Sequence, residues 1–118
     1  MCIRDRDYLD ICQQLGLSAL VEAHDEQEIE TAADAGARII GVNNRNLKTF
    51  DVDIQNSRKL RTLVPESIIF VAESGIRTAD DVQALRDAGV HAVLIGETLM
   101  RSPDKQKMLH TLRGNAYD

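Results

Sequence analysis

The sequence of 118 residues contains few aromatic residues, no tryptophan, no long apolar run and no surplus of basic charge. Because aromatic residues make up 3% of the chain and the net charge is -5, neither a base-stacking surface nor a basic stripe for phosphate backbones is expected. No apolar run approaches the length of a membrane span. Cys2 and Cys12 have neither metal-binding nor redox spacing, which predicts a reducing, cytoplasmic location. We therefore expect a cytoplasmic globular protein that binds neither nucleic acid nor membranes.

Residues 1–6 continue poorly into the segment that follows them. Met1–Arg6 lack the basic start and apolar stretch of a signal peptide. Asp7–Leu15 has helical apolar spacing and ends at Gly16, a good helix-terminating residue. We therefore predict that residues 1–6 are a non-native start and that a longer protein precedes Asp7.

From Gly16 onward the chain repeats one pattern, in which a helix-ending signal is followed by a buried strand and then by a polar or glycine tip. The four copies end at Glu22, Asn43, Glu73 and Gly96. The segments between them carry helix-start signals at Asp25 with Glu28, at Asp53, at Thr78 with Asp81, and at Ser102. Apolar strands that alternate with helices predict a parallel sheet covered by helices.

Four such units fit two α/β architectures, an open flavodoxin-like sheet or half of a (β/α)₈ barrel. A complete barrel needs about 250 residues, roughly twice the length of this chain. An open sheet concentrates its site at one switch point, whereas here every strand ends in a candidate site residue. Because a barrel directs all its strand ends to one mouth, we predict a parallel half of a TIM barrel with four βα units.

Four motifs, taken in order, resemble those of the indole-3-glycerol phosphate synthase family. They are Leu-Val-Glu-Ala-His-Asp-Glu at 20–26, Gly-Val-Asn-Asn-Arg-Asn-Leu at 41–47, Val-Ala-Glu-Ser-Gly-Ile at 71–76 and Leu-Ile-Gly-Glu-Thr-Leu-Met at 94–100. The resemblance implies that residues 7–118 hold strands five to eight, the C-terminal half of the barrel. It also implies the family's reaction: decarboxylation and ring closure of 1-(2-carboxyphenylamino)-1-deoxyribulose 5-phosphate to indole-3-glycerol phosphate, without metal or cofactor.

The resemblance implies catalytic roles for three strand-end residues. Glu22 matches the glutamate that assists the dehydration, and a carboxylate at an apolar strand end can have its pKa raised towards working pH. Asn43 matches a residue that orients the reacting part of the substrate. Glu73 matches an acid that lines the same mouth and holds a catalytic lysine, with a structural ion pair as the alternative role.

Ser74, Gly75, Gly96 and Glu97 match the family's phosphate site. Such barrels often bind phosphate with the loops after strands seven and eight and the start of a short helix, which Glu97–Met100 is predicted to form. Because the Glu97 side chain carries the wrong charge, its backbone amide is the expected donor and its side chain should turn away. No metal site is expected, since no further ligand has suitable spacing from Glu22 and His24.

In the family, the general-acid lysine, a second lysine and another glutamate come from the first half of the barrel. The chain by itself is therefore predicted to have no synthase activity. Four strands cannot close a barrel, so we expect the chain to pair with the missing N-terminal half or to self-associate. Two alternatives remain: another phosphate-binding barrel of the phosphoribosyl isomerase or thiazole synthase type, and a non-catalytic phosphate-binding module.

Overall fold

The computed structural model describes residues 3–114, with side chains from Arg6 onward, as helices that alternate with short strands. The elements are α1 (Ile3–Gln14), β1 (Leu20–Ala23), α2 (Glu26–Asp34), β2 (Ile39–Asn43), α3 (Gln55–Arg61), β3 (Ile69–Glu73), α4 (Ala79–Asp87), β4 (Ala92–Leu94), α5 (Glu97–Arg101) and α6 (Lys105–Arg113). Helix α1 begins inside the segment predicted to be a non-native start, whose Met1 and Cys2 lie outside the described residues. None of the helices in this range has the length and apolar character that a membrane crossing requires.

The strands form one parallel sheet in the order β1-β2-β3-β4. A barrel adds each strand beside the previous one, whereas a doubly wound sheet reverses its order at a switch point. The observed order therefore confirms the predicted α/β half barrel. The alternative, an open flavodoxin-like sheet, has a different strand order.

The two faces of the sheet have different surroundings. Five residues that point towards the helices are completely buried in the core: Ala23, Ile40, Val42, Phe70 and Ala72. Their neighbours along each strand point to the opposite side, which we call the open face. On the open face Leu20, Ile69 and Leu94 remain 46%, 46% and 54% exposed. This apolar surface corresponds to the interior of a closed barrel.

Two of the four predicted helix starts are confirmed. The Asp25 side chain accepts the Glu28 N–H at the start of α2, and Thr78 with Asp81 forms a complete capping box at α4. At the other two starts, the N-cap position lies one or two residues later than predicted. Ile54 occupies the N-cap position of α3, although Asp53 accepts the next N–H, and Asp104 caps α6. Ser102 is instead the residue that ends α5, which lies apart from α6 as the predicted short helix and the predicted last helix require.

A buried arginine holds the end of the sheet opposite to the predicted site residues. Arg61, which is 8% exposed, donates from Nε to the Gly89 carbonyl at 2.9 Å and from Nη1 to the Val64 carbonyl at 2.7 Å. Its guanidinium group also lies 5.8 Å from the centre of the Phe70 ring, within cation–π range. Arg61 thereby joins the end of α3 to β3 and to the loop before β4.

Candidate active site

A cavity of about 740 Å³ lies where the strands end. Its lining includes all seven predicted site residues: Glu22, Asn43, Glu73, Ser74, Gly75, Gly96 and Glu97. Residues at or just beyond the ends of all four strands thus meet at one place, as the mouth of a barrel requires. The lining also includes four residues that were not predicted as site residues: Arg45, Arg77, Thr98 and Arg101.

Two carboxyl groups meet on the open face, one from β1 and one from β3. Glu73 is 7% exposed, whereas the Glu22 side chain is 46% exposed. Gly41 on the intervening strand leaves room for Glu73, because a Cβ at Gly41 would lie 3.0 Å from Glu73 Cδ. Of the two strand-end acids, Glu73 is therefore buried and Glu22 is partly exposed.

The surroundings of Glu73 favour its protonated form. Burial raises the pKa of Glu73 to about 7, and both a hydrogen bond with Glu22 and repulsion by its charge act in the same direction. The charge of His24 has the opposite, lowering effect on the pKa of Glu73. Within the described residues, Glu73 Oε2 is buried without a hydrogen-bond partner. Glu73 can therefore take up or release a proton near neutral pH.

Asn43 connects the carboxyl pair to the loop that follows β2. Its Nδ2 donates to Glu22 Oε1 at 3.2 Å, and its Oδ1 accepts the Arg45 N–H at 2.9 Å. An amide has one donor end and one acceptor end, so these two bonds fix its orientation. Asn43 also lies beside Glu73 in the register of β2 and β3. The amide is thus held rigidly next to both carboxyl groups.

The neighbouring Asn44, which was not predicted as a site residue, is a buried structural residue. Its Oδ1 accepts hydrogen bonds from the Ser57 N–H at 3.0 Å and from the Ser57 hydroxyl at 2.7 Å. Its Nδ2 donates to the Ser74 carbonyl at 3.1 Å, and its backbone N–H donates to the Glu73 carbonyl at 2.8 Å. Asn44 therefore fixes the end of β3 to β2 and to the start of α3.

The chain turns sharply after β3 at two consecutive residues with positive φ. Ser74 has φ 69° and Gly75 has φ 77°. A serine in this region carries local strain, which is often found at functional sites. Val52 occupies the space where a side chain on Gly75 would lie, so that its Cγ1 would overlap an added Cβ. Gly75, which is predicted to line the phosphate site, thus also allows the loop between β2 and α3 to pack closely against the turn.

The short helix predicted after the last strand is present as α5. Gly96 is its N-cap residue, and a Cβ at Gly96 would meet nothing within 4 Å among the described atoms. The Thr98 hydroxyl donates to the Ile76 carbonyl at 2.7 Å. This bond fixes the start of α5 relative to the Ser74–Gly75 turn.

The Glu97 side chain is neutralised by two arginines at the cavity. Its Oε2 lies 3.0 Å from Arg45 Nη2, and its Oε1 lies 3.1 Å from Arg101 Nε. Arg45 follows β2, so this ion pair connects loops from non-adjacent strands. No local sequence pattern indicates the Arg45–Glu97 pair, because its members are 52 residues apart.

His24 lies directly after β1, between two carboxylates. Its Nδ1 is 3.3 Å from Glu28 Oε2, and its Nε2 is 4.0 Å from Glu22 Oε2. Between residues 6 and 114, no three His, Cys, Asp or Glu side chains are grouped so that they could hold a metal ion.

Comparison with known families matches residues 5–112 to the family model described as indole-3-glycerol phosphate synthase. A protein of that name from Ruminiclostridium cellulolyticum is 64% identical over 111 residues, which cover 94% of this chain and 43% of the relative. Another from Lachnoclostridium phytofermentans is 58% identical over 106 residues, covering 90% of this chain and 39% of the relative. The chain thus spans about two fifths of the length of these curated relatives.

Among solved structures, the fold is similar to thiamine phosphate pyrophosphorylase from Pyrococcus furiosus. The TM-score is 0.68 at 23% sequence identity, with 82% of this chain and 47% of the other chain covered. At this identity the similarity concerns the fold alone, and it agrees with the half barrel described above.

Proposed function

Because the chain belongs to the indole-3-glycerol phosphate synthase family, we propose that it forms the C-terminal half of a cytoplasmic barrel lyase of tryptophan biosynthesis. The proposed reaction decarboxylates and cyclises 1-(2-carboxyphenylamino)-1-deoxyribulose 5-phosphate to indole-3-glycerol phosphate, releasing carbon dioxide and water. In this proposal residues 7–118 contribute strands five to eight, and no metal or cofactor takes part. The observation that carries the proposal is the single cavity lined by all seven predicted site residues.

The residues of β1 to β3 would handle the reacting part of the substrate. Glu22 is partly exposed and is hydrogen-bonded to Asn43, so a bound substrate can reach its carboxyl group, which acts in the proposal during the dehydration. Asn43 would orient the substrate without a change of charge. Glu73, whose pKa lies near 7, would exchange protons with Glu22 or accept a hydrogen bond from a cationic group.

The loops after β3 and β4 would hold the phosphate group. Ser74 and Gly75 lie on one of these loops, while Gly96 and Glu97 lie on the other. Arg45 and Arg101 together carry two positive charges against the one negative charge of Glu97, which leaves a net charge of about +1 for this group. Arg77 adds a further positive charge to the same cavity lining. This surplus favours an anion, and α5 can direct its first backbone N–H groups at it.

The remaining catalytic groups are proposed to come from an N-terminal half that covers the open face. Leu20, Ile69 and Leu94 are about half exposed there and would become part of a barrel interior. Among the described residues, β1 and β4 each pair on one side only, so their outer edges can accept further strands. The greater length of the curated relatives supports the same arrangement.

The proposal is tested by restoring an N-terminal half. The part of the Ruminiclostridium cellulolyticum relative that precedes the matched region is joined to residues 7–118, and turnover is followed by indole fluorescence and carbon dioxide release. The 118-residue chain alone is expected to be inactive, and the joined protein active. Glu22→Gln in the joined protein should lower kcat by about 10² to 10⁴, the usual contribution of a general acid or base.

The matched control is Glu66→Gln, which removes an exposed carboxylate outside the cavity and should leave kcat unchanged. A joined protein that is folded but inactive would contradict the proposed function. Full activity of the Glu22→Gln variant would contradict the role of Glu22 while leaving the family reaction in place.

A further inference from the structure

Glu28, His24 and Glu22 lie in a row, with the His24 ring between the two carboxyl groups. Glu28 lies in the first turn of α2, where the Asp25 side chain caps the helix. One oxygen of Glu28, Oε2, lies 3.1 Å from the His24 backbone nitrogen and 3.3 Å from His24 Nδ1. Both contacts involve the same carboxylate oxygen, so α2 fixes the backbone and the ring of His24 together.

This contact determines which ring nitrogen faces Glu22. A carboxylate oxygen accepts hydrogen bonds, so the nitrogen beside Glu28 carries the hydrogen, and Nε2 of a neutral His24 ring is then an acceptor. Nε2 is buried and has no hydrogen-bond partner among the described groups. It points towards Glu22 Oε2 at 4.0 Å.

The two oxygens of Glu22 have different neighbours. Oε1 receives the Asn43 amide at 3.2 Å, which leaves Oε2 for His24. Two acceptors that face each other repel, and a proton on either one removes the repulsion. A proton on Nε2 or Oε2 would therefore be shared by His24 and Glu22 once the 4.0 Å separation shortens to hydrogen-bond distance.

We propose that His24, oriented by Glu28, is a positioning residue that controls whether the Glu22 carboxyl group carries a proton. The other charged groups near this row are Glu73 from β3 and, farther along the cavity lining, Arg45, Arg77, Glu97 and Arg101. Arg45 and Arg101 are paired with Glu97. Among these groups, His24 is the one that contacts Glu22 directly and becomes cationic when it takes up a proton, and that charge also acts on Glu73.

The inference is tested by NMR on the isotopically labelled 118-residue chain, with the Cδ shifts of Glu22 and Glu73 and the ring nitrogen shifts of His24 followed against pH. In the unmodified chain, His24 Nδ1 should carry hydrogen at neutral pH. His24→Gln should raise the titration midpoint of Glu73, because the His24 charge that lowers the pKa of Glu73 is lost. The control His110→Gln, on the exposed side of α6, should leave the midpoint unchanged.

Equal midpoints in the His24→Gln and His110→Gln variants would overturn the inference. A His24 Nδ1 that carries no hydrogen would overturn it as well. Should His24→Gln fail to fold, Glu28→Gln keeps the side-chain shape and is measured in the same titration. An altered midpoint in that variant supports the inference, and an unaltered midpoint overturns it.

The catalytic meaning of this coupling rests on the proposed function, whereas the coupling itself does not. In the joined protein, His24→Gln should move the pH profile of kcat and leave KM within about twofold, because Glu22 acts on the reacting atoms and not on overall binding. An inactive joined protein together with the NMR shift would refute the proposed function alone. Activity with no midpoint shift would refute the role of His24 alone.

Discussion

The replacement Glu73→Gln is expected to stabilise the protein at alkaline pH. Glu73 has a pKa of about 7 in the folded state, against 4.5 for an ordinary glutamate. Between these two values the folded chain binds more protons than the unfolded chain, so the free energy of unfolding falls as pH rises. The stability that protonation provides is complete below pH 4.5 and is lost by about pH 7. Glutamine cannot ionise, so the variant should lack this decline.

The size of the effect follows from the difference between the two pKa values. A difference of about 2.5 units corresponds to about 3 kcal/mol, since each unit is about 1.4 kcal/mol. Glutamine has nearly the same shape, so the space that Gly41 leaves for this side chain stays filled. Its amide can also donate to Glu22, which the ionised carboxylate cannot do.

The assay is urea unfolding of parent and variant at pH 5 and at pH 8, under the same salt conditions. The parent should lose about 2–3 kcal/mol between the two pH values relative to Glu73→Gln, and the variant should be the more stable protein at pH 8. Titrating groups that do not interact with Glu73 are common to both proteins and cancel in the difference. The control Glu66→Gln removes an exposed carboxylate and should follow the parent. Parallel pH curves for parent and Glu73→Gln would refute the reasoning.

Three further predictions follow from the packing. In urea unfolding, Gly75→Ala should destabilise the chain by about 1–3 kcal/mol more than Gly36→Ala. Both glycines have positive φ, but only Gly75 lies against Val52. Adding Val52→Ala to Gly75→Ala should therefore recover part of the lost stability. Arg61→Met should lower the free energy of unfolding by about 2–4 kcal/mol, because two carbonyl groups lose their hydrogen-bond donor. Arg58→Met, on the exposed side of the same helix, should lower it little. Equal thermal stabilities of the two variants would contradict this role of Arg61. The 118-residue chain should self-associate in sedimentation at increasing concentration through its open face, and a monomer at every concentration would count against this expectation.

Much of the fold could be predicted because its determinants are local. Apolar runs between helix-ending glycines define the strands, and the Asp25 and Thr78 signals define two helix starts. The location of the site also follows locally, since the polar residue at a strand end is read directly from the sequence. The parallel sheet then brings these ends together, as the cavity lining shows.

The features that could not be predicted depend on register between distant segments. Glu73 is buried because Gly41 lies on the adjacent strand, whereas Glu22, which also lies near the end of a strand, is left partly exposed. The pairing of Arg45 with Glu97 depends in the same way on two loops that meet only in the folded sheet. Sequence patterns locate these charged residues at strand ends but do not determine their partners.

The pair Asn43 and Asn44 shows why the site and the core cannot be separated. Successive strand residues point to opposite faces, so the first amide contacts Glu22 at the cavity while the second is buried against Ser57. The buried amide also holds the Ser74 carbonyl at the end of β3, next to Glu73. Because one amide enters the cavity only when the other is fixed in the core, core packing sets the geometry of the carboxyl pair. A change of register by one residue would exchange the two amides, removing the Glu22 contact and the buried anchor together.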